Sequence, residues 1–157
     1  MSAGTPDTPS TTLYIIYNAK SSLLGKINYV YRKSTCPDPA TKPACAACEL
    51  THGVSLRLAE SAEWKATKAR ILHATIMQLH TDELPPALAD WIRQAKVQTP
   101  AVVVQPDVAS TDFQVLLTSE DLARVRLDHG AFLRLLQSRA SEAGVQGIEV
   151  AAPPSDL

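Results

Sequence analysis

Apolar residues recur with two different periods along this chain, and the changes of period divide it into elements. Leu13-Tyr-Ile-Ile-Tyr17 is a continuous β-rich run and predicts a buried strand. From Ser22 the spacing turns helical: Leu23, Leu24, Ile27, Val30 and Tyr31 share a stripe, with Lys26, Asn28 and Arg32 between them. Ser21 or Ser22 is placed to cap that helix, because a hydroxyl accepts from the free amides of a first turn. Ser34 to Cys48 contains Pro37, Pro39 and Pro43, which fix φ and remove backbone donors, so an irregular inserted loop is expected. Val54 to Leu58 alternates and predicts a short edge strand.

Ser61 reads as the N-cap of a second helix, with Glu63 in the first turn and Trp64, Thr67, Ile71 and Leu72 on its inner face. Ala74 to His80 predicts a strand. Pro85-Pro86 opens a helix where proline is tolerated, and Leu88, Trp91, Ile92 and Ala95 form its apolar face. Thr99 to Val104 and Phe113 to Leu117 predict two strands, and the short gap between them predicts an antiparallel hairpin. Ser119 is expected to cap a short helical turn through Val125. Asp128 is expected to cap a last helix bearing Phe132, Leu135, Leu136 and Ala140. Trp64 and Trp91 lie on apolar helical faces and read as core. His73 and His129 fall at helix boundaries and read as surface residues.

With the loop and its following helix set aside, the order is β-α-β-α-β-β-α. That alternation implies an α/β class with parallel pairing through crossover helices, closed by one antiparallel pair. The 157 residues suit one domain. Its expected extent is 12–149, with the cysteine loop at 34–53. Residues 1–11 are Ser/Thr/Pro-rich and expected to be disordered, and 150–157 form a Pro-rich flexible tail.

Composition removes some function classes. Fifteen basic residues against sixteen acidic ones give a net charge of -1, and aromatics are few, so no nucleic-acid partner is expected. No apolar run approaches the roughly twenty residues that span a bilayer, so no membrane partner is expected either. The first residues have neither the basic start nor the apolar run of a signal peptide, and the expectation is a cytoplasmic, reducing location. There a C-x-x-C is more often catalytic or metal-binding than a permanent disulfide.

The chain concentrates its soft, reactive side chains in one stretch, Pro43-Ala-Cys45-Ala-Ala-Cys48-Glu-Leu-Thr-His52, with Cys36 upstream. Two readings of this stretch carry chemistry. As a redox pair, Cys45 and Cys48 need a thiolate; Lys42 or a helix beginning near Pro43 favours it, and Glu49 opposes it. As a metal site, Cys36, Cys45, Cys48 and His52 make a Cys₃His set with spacing C-x8-C-x2-C-x3-H, a tetrahedral zinc complement whose middle spacing is not that of CCCH zinc fingers. In the third reading these cysteines are small loop residues without chemistry.

A second candidate region follows from the strand order. His80 falls at the carboxyl end of a predicted parallel strand, followed by Asp82 and Glu83, and ligands of open α/β sheets gather at that edge. Asn18, Ser21, Ser22 and Thr99 are expected at the same edge. The plainer reading is that His80 and Asp82 only cap the strand and the next helix.

Two short stretches resemble the glutaredoxin and thioredoxin-like family. Ile15-Ile-Tyr17-Asn-Ala-Lys-Ser-Ser22-Leu-Leu-Gly25 is similar to that family's first strand, Tyr-Ser-Lys, and Cys-Pro-Tyr-Cys. Val97-Gln-Thr99-Pro100-Ala-Val-Val-Val looks like the family's Thr/Val-Pro before the third strand. The resemblance runs over roughly 13–137 with the loop excluded. It implies a thioredoxin-like fold of the glutaredoxin-type order, and a cis Pro100 facing the redox cysteines. Ser22 and Gly25 occupy the family's two cysteine positions, so the family's chemistry cannot be transferred there. It survives only through Cys45 and Cys48, if their loop folds back toward Pro100.

The leading expectation is therefore thiol–disulfide exchange or redox sensing through Cys45 and Cys48, with an unidentified protein or a small thiol as partner and no cofactor. By the resemblance Cys45 attacks and Cys48 resolves. The alternatives are a zinc-binding module using Cys36, Cys45, Cys48 and His52, and a non-catalytic interaction domain.

Overall fold

The computed structural model of the chain describes residues 10–18, 47, 50, 51 and 60–152. Two rows of apolar side chains on β1 (Thr11–Ile16) explain why this strand lies at the centre. Successive side chains of a strand point to opposite faces. Leu13, Ile15 and the following Tyr17 enter one apolar cluster, and Tyr14 and Ile16 enter another. A strand needed by both clusters is covered on both faces, which is why its sequence is an unbroken apolar run.

The remaining elements follow from residue 60 onward. They are α1 (Ala62–Ala69), β2 (Ile71–Leu72), β3 (Ala74–Leu79), α2 (Pro86–Ala95), β4 (Ala101–Gln105), β5 (Gln114–Leu117), α3 (Ser119–Val125), α4 (His129–Glu142) and β6 (Glu149–Val150). The protein is a mixed α/β structure. Its four-stranded sheet has the order β3-β1-β4-β5. β3 runs parallel to β1, from Thr11 opposite Ala74 to Ile16 opposite Leu79. β4 runs antiparallel to β1, with Ile16 opposite Ala101, and β5 runs antiparallel to β4 with a bulge between Val102 and Val103. The expected closing hairpin is present.

One face of the sheet carries the larger cluster. Trp64 of α1, Leu122 of α3, and Phe132, Leu133, Leu136 and Ala140 of α4 pack there against Leu13, Ile15, Val102 and Val104. The other face carries α2, whose Leu88 is fully buried and whose Trp91 and Ile92 are half-buried against Tyr14, Ile16 and Val103. The expected core role is complete for Trp64 and partial for Trp91.

Several element ends differ from the pattern reading. Ser61 caps α1 as expected, accepting from the Trp64 amide at 3.1 Å. The helix stops at Arg70, however, and Ile71 and Leu72 pair with Val150 and Glu149 instead of lining its face. His73 turns the chain at φ 64° between β2 and β3. The cap of α3 is Thr118, not Ser119. Thr118 accepts from the Asp121 amide, and the Asp121 carboxylate accepts from the Thr118 amide, which makes a reciprocal box. Asp128 caps α4 as expected, accepting from Ala131.

His129 is half-buried, not a freely exposed surface residue. Its Nδ1 lies 2.6 Å from the Thr67 hydroxyl and its ring meets the edge of Trp64 at 6.2 Å. Burial lowers its pKa, outweighing the Glu63 carboxylate and carbonyl and the Asp128 carboxylate, so the ring is held neutral.

Both ends of the domain reach slightly further than 12–149. Thr11 belongs to β1 and is buried; Val150 belongs to β6, and the Ala151 amide donates to Arg70 O at 2.7 Å. Gly147 packs directly on that first strand: a Cβ there would lie 1.9 Å from Thr11 Oγ1, so only glycine fits.

The helix expected from Ser22 and the strand expected over 54–58 lie outside the described residues. So do residues 1–9 and 153–157. Within the loop expected over 34–53, Ala47, Leu50 and Thr51 are described. All three are helical and fully buried, so the irregular path expected through Ser34 to Cys48 does not hold at Ala47.

Candidate functional site at the carboxyl edge of the parallel pair

β1 and β3 end side by side, and the Tyr17 amide continues their ladder by donating to Leu79 O at 2.9 Å. Because the pair is parallel, the residues after each strand emerge at one edge. Tyr17 and Asn18 come after β1; His80, Asp82 and Glu83 come after β3. β4 runs the other way, so Thr99 and Pro100, which precede it, arrive at this edge too. The structure therefore brings Asn18, His80, Thr99 and Pro100 to one end of the sheet.

The contacts are specific. The Thr99 hydroxyl donates to Asn18 Oδ1 at 3.1 Å. The Thr99–Pro100 bond is cis, the isomer the resemblance implies at this position. Pro100 is buried, and its carbonyl accepts from the Ser119 hydroxyl at 2.7 Å. The His80 ring lies 4.9 Å from the Tyr17 ring. Glu83 reaches back to His80 in two ways: its carboxylate accepts from the His80 amide at 2.9 Å and meets the imidazole at Nδ1. The hydrogen bond from that amide comes first among the causes that lower the Glu83 pKa, so the group stays ionised and orients the ring. Asp82 sits exposed in the turn between them and acts on Glu83 as a like charge.

Tyr17 anchors a second set of contacts. Its ring is buried in the larger cluster, which also holds Ala47 and Leu50. Its hydroxyl donates to Thr51 Oγ1 at 3.1 Å and accepts from Gln78 Nε2 at 2.8 Å. Burial raises the Tyr17 pKa, against the two hydrogen bonds, so the phenol keeps its proton. The Ser61 amide donates to Thr51 O at 2.9 Å and fixes the same residue from the other side.

Cys36, Cys45, Cys48, His52, Ser21 and Ser22 lie outside the described residues. Among the described residues, no group of three or more His, Cys, Asp or Glu side chains could hold a metal ion, and no helix is long and apolar enough to cross a membrane.

Pattern reading misses Tyr17 and Ser119 as parts of this edge, and for Glu83, which it places after His80, it misses the contact back to the imidazole. The apolar run assigns Tyr17 to the strand interior; its position as the last residue of that run, with a polar tip on an apolar body, is the available signal. Glu83 stands three residues after His80, a spacing that a turn closes. Ser119 carries no signal of its own, because its role depends on where β4 begins. No protein-family model, curated protein or solved structure matches this chain.

Proposed function

We propose that this chain is a thioredoxin-like α/β protein that exchanges thiols and disulfides through Cys45 and Cys48. The observation that carries the reading is the position of the residues that bracket Cys48 in the sequence. Ala47, Leu50 and Thr51 are helical, fully buried, and joined to the sheet through the Tyr17 hydroxyl. They meet the end of β1 from which Asn18 reaches Thr99, beside Pro100. Exchange through this C-x-x-C requires its segment to return toward Pro100, and the hydrogen bond from Tyr17, the residue before Asn18, to Thr51 supports that path. The sheet order β3-β1-β4-β5, with one parallel and two antiparallel pairings, supports the same fold.

The chemistry is a two-step transfer. The Cys45 thiolate attacks a partner disulfide, forms a mixed disulfide and releases one partner sulfur as thiolate. Cys48 then attacks Cys45 in that mixed disulfide, losing its proton to solvent and releasing the second partner sulfur. The chain ends oxidised and the partner reduced by two electrons. No cofactor is required, and the partner class is a protein disulfide or a small thiol.

The test is incubation of the fully reduced chain with glutathione disulfide. Release of two equivalents of glutathione, with loss of two protein thiols and a transient glutathione adduct at Cys45, is the expected result. No release over hours at neutral pH contradicts the reading.

A further inference from the structure

A groove of about 700 Å³ runs along α4, with Val150 of β6 and the residues after it on its other side. β6 pairs with β2, and β2 leads into the amino end of β3, so the groove lies away from the edge that carries His80. Two arginines line it, Arg70 at the end of α1 and Arg134 on α4, and among the described residues no aspartate or glutamate does. Both guanidinium groups are placed by their surroundings. Arg70 Nε donates to Ala151 O at 3.1 Å, and the Ala151 amide donates to Arg70 O at 2.7 Å. This reciprocal pair pins the side chain to the groove wall and leaves its two terminal nitrogens without a hydrogen-bond partner among the described residues. Arg134 folds back along its own helix, so that a Cβ on Gly130 would lie 3.3 Å from its Nη1. Among the described residues Arg134 has no ion-pair partner. The carboxylates next to the lining are used elsewhere or stand outside it: Asp128 accepts from the Ala131 amide, Glu149 lies 3.0 Å from His73 Nε2, and Glu142 is exposed beyond Ser141.

The rest of the groove is equally fixed. Gln137 accepts from the Val150 amide at 2.9 Å and donates to Ser141 Oγ at 3.4 Å, while Leu133 and Val150 supply apolar surface. From Gly130 to Ser141 the helix rises about 16 Å, the length of roughly five extended residues. We infer that this groove binds an extended acidic segment of a partner protein, with its carboxylates on Arg70 and Arg134 and an apolar side chain on Leu133 and Val150. A guanidinium presents a planar fork of donors that matches a carboxylate, and side chains already held in place lose little freedom on binding. Two arginines on a chain of net charge -1 are too few to follow a nucleic-acid backbone, whose grip comes from many neutralised phosphates. No residue of the groove belongs to the carboxyl edge, so the inference stands apart from the exchange chemistry.

The experiment titrates the full chain into fluorescein-labelled pentapeptides and reads anisotropy. The panel carries two glutamates in every spacing, with leucine, alanine or serine at the other positions, and each member has a counterpart with glutamine in place of glutamate. Saturable binding of acidic members, weaker for their glutamine counterparts and lost as salt rises to about 1 M, is the expected result. Arg70→Gln and Arg134→Gln are each expected to weaken the best acidic peptide about two- to five-fold, the scale of one exposed charge pair. Arg93→Gln makes the same change of charge on α2, which packs on the opposite face of the sheet from α4, and is expected to leave binding unchanged. Arg134 is exposed, so Arg134→Gln keeps the test readable should Arg70→Gln melt without cooperativity. Three results overturn the inference: no saturable binding by any acidic peptide up to about 1 mM, equal binding of the glutamine counterparts, or a loss in Arg93→Gln as large as in Arg134→Gln.

Discussion

The Thr99 hydroxyl donates to Asn18 Oδ1 across 3.1 Å, tying the exit of β1 to the residue before Pro100. These residues are 81 positions apart, and the bond closes only because β1 and β4 are antiparallel neighbours. Thr99→Val keeps the shape and removes the donor. The expected cost is about 0.5–1.5 kcal/mol, the net worth of one hydrogen bond, with Thr99→Ser costing less. Chemical denaturation of the three proteins checks it, and equal stability of Thr99→Val and wild type would show that the bond contributes nothing.

The two tryptophans separate complete from partial burial. Trp64 is fully enclosed, with its ring edge-on to Phe132 at 5.7 Å, whereas Trp91 is half-buried and tilted against Phe113 at 5.6 Å. Trp64→Ala removes a large apolar body and leaves a cavity, for an expected loss of about 3–5 kcal/mol. Trp91→Ala is expected to cost less, because solvent can fill part of its space. Denaturant melts of both variants decide the order, and a larger loss at Trp91 would reverse the assignment of the main core.

Stability at low pH depends on Asp121. Its side chain is 3 % exposed and accepts from Arg139 at 3.0 and 3.2 Å and from Arg124 at 2.7 Å, in addition to the Thr118 amide. Burial pushes the Asp121 carboxyl up, but the bonds from Thr118 and the two arginines outweigh it and hold the pKa below the usual carboxylate value. A depressed folded pKa adds stability that is complete above the unfolded value of about 4 and is lost as pH falls through the folded value. Asp121→Asn is therefore expected to cost about 1.5–3 kcal/mol at neutral pH. The gap to wild type should close as pH drops below about 4. A gap that stays constant down to low pH would assign the loss to shape and not to charge.

The fold is legible where one residue's neighbours in sequence decide its surroundings. The strands at Leu13, Ala74 and Val102, and the caps at Ser61 and Asp128, come from local period and hydroxyl or carboxylate placement. Periodicity misplaces Ile71 and Leu72 because their apolar character suits a helix face and a strand equally, and their partners Val150 and Glu149 lie far along the chain. It misplaces His129 because a boundary position says nothing about the Thr67 and Trp64 side chains that α1 brings to it. At the candidate edge, His80, Asn18, Thr99 and Pro100 can be anticipated from strand order alone. Tyr17 cannot, because its role depends on a helical segment where three prolines point to an irregular path.

The central claim turns on which cysteine is indispensable. Exchange between Cys45 and Cys48 involves only that pair, so Cys36→Ser should release glutathione from its disulfide nearly as fast as wild type, while Cys45→Ser should release essentially none. A four-ligand zinc site behaves differently, since each ligand contributes to folding: Cys36→Ser would then lower bound zinc and melting temperature together. The deciding measurement is the glutathione-release rate of Cys36→Ser and Cys45→Ser against wild type, with zinc stoichiometry and thermal melts recorded on the same preparations. Retained release in Cys36→Ser and lost release in Cys45→Ser is the predicted result; release that survives Cys45→Ser, or is absent from the wild type, contradicts it.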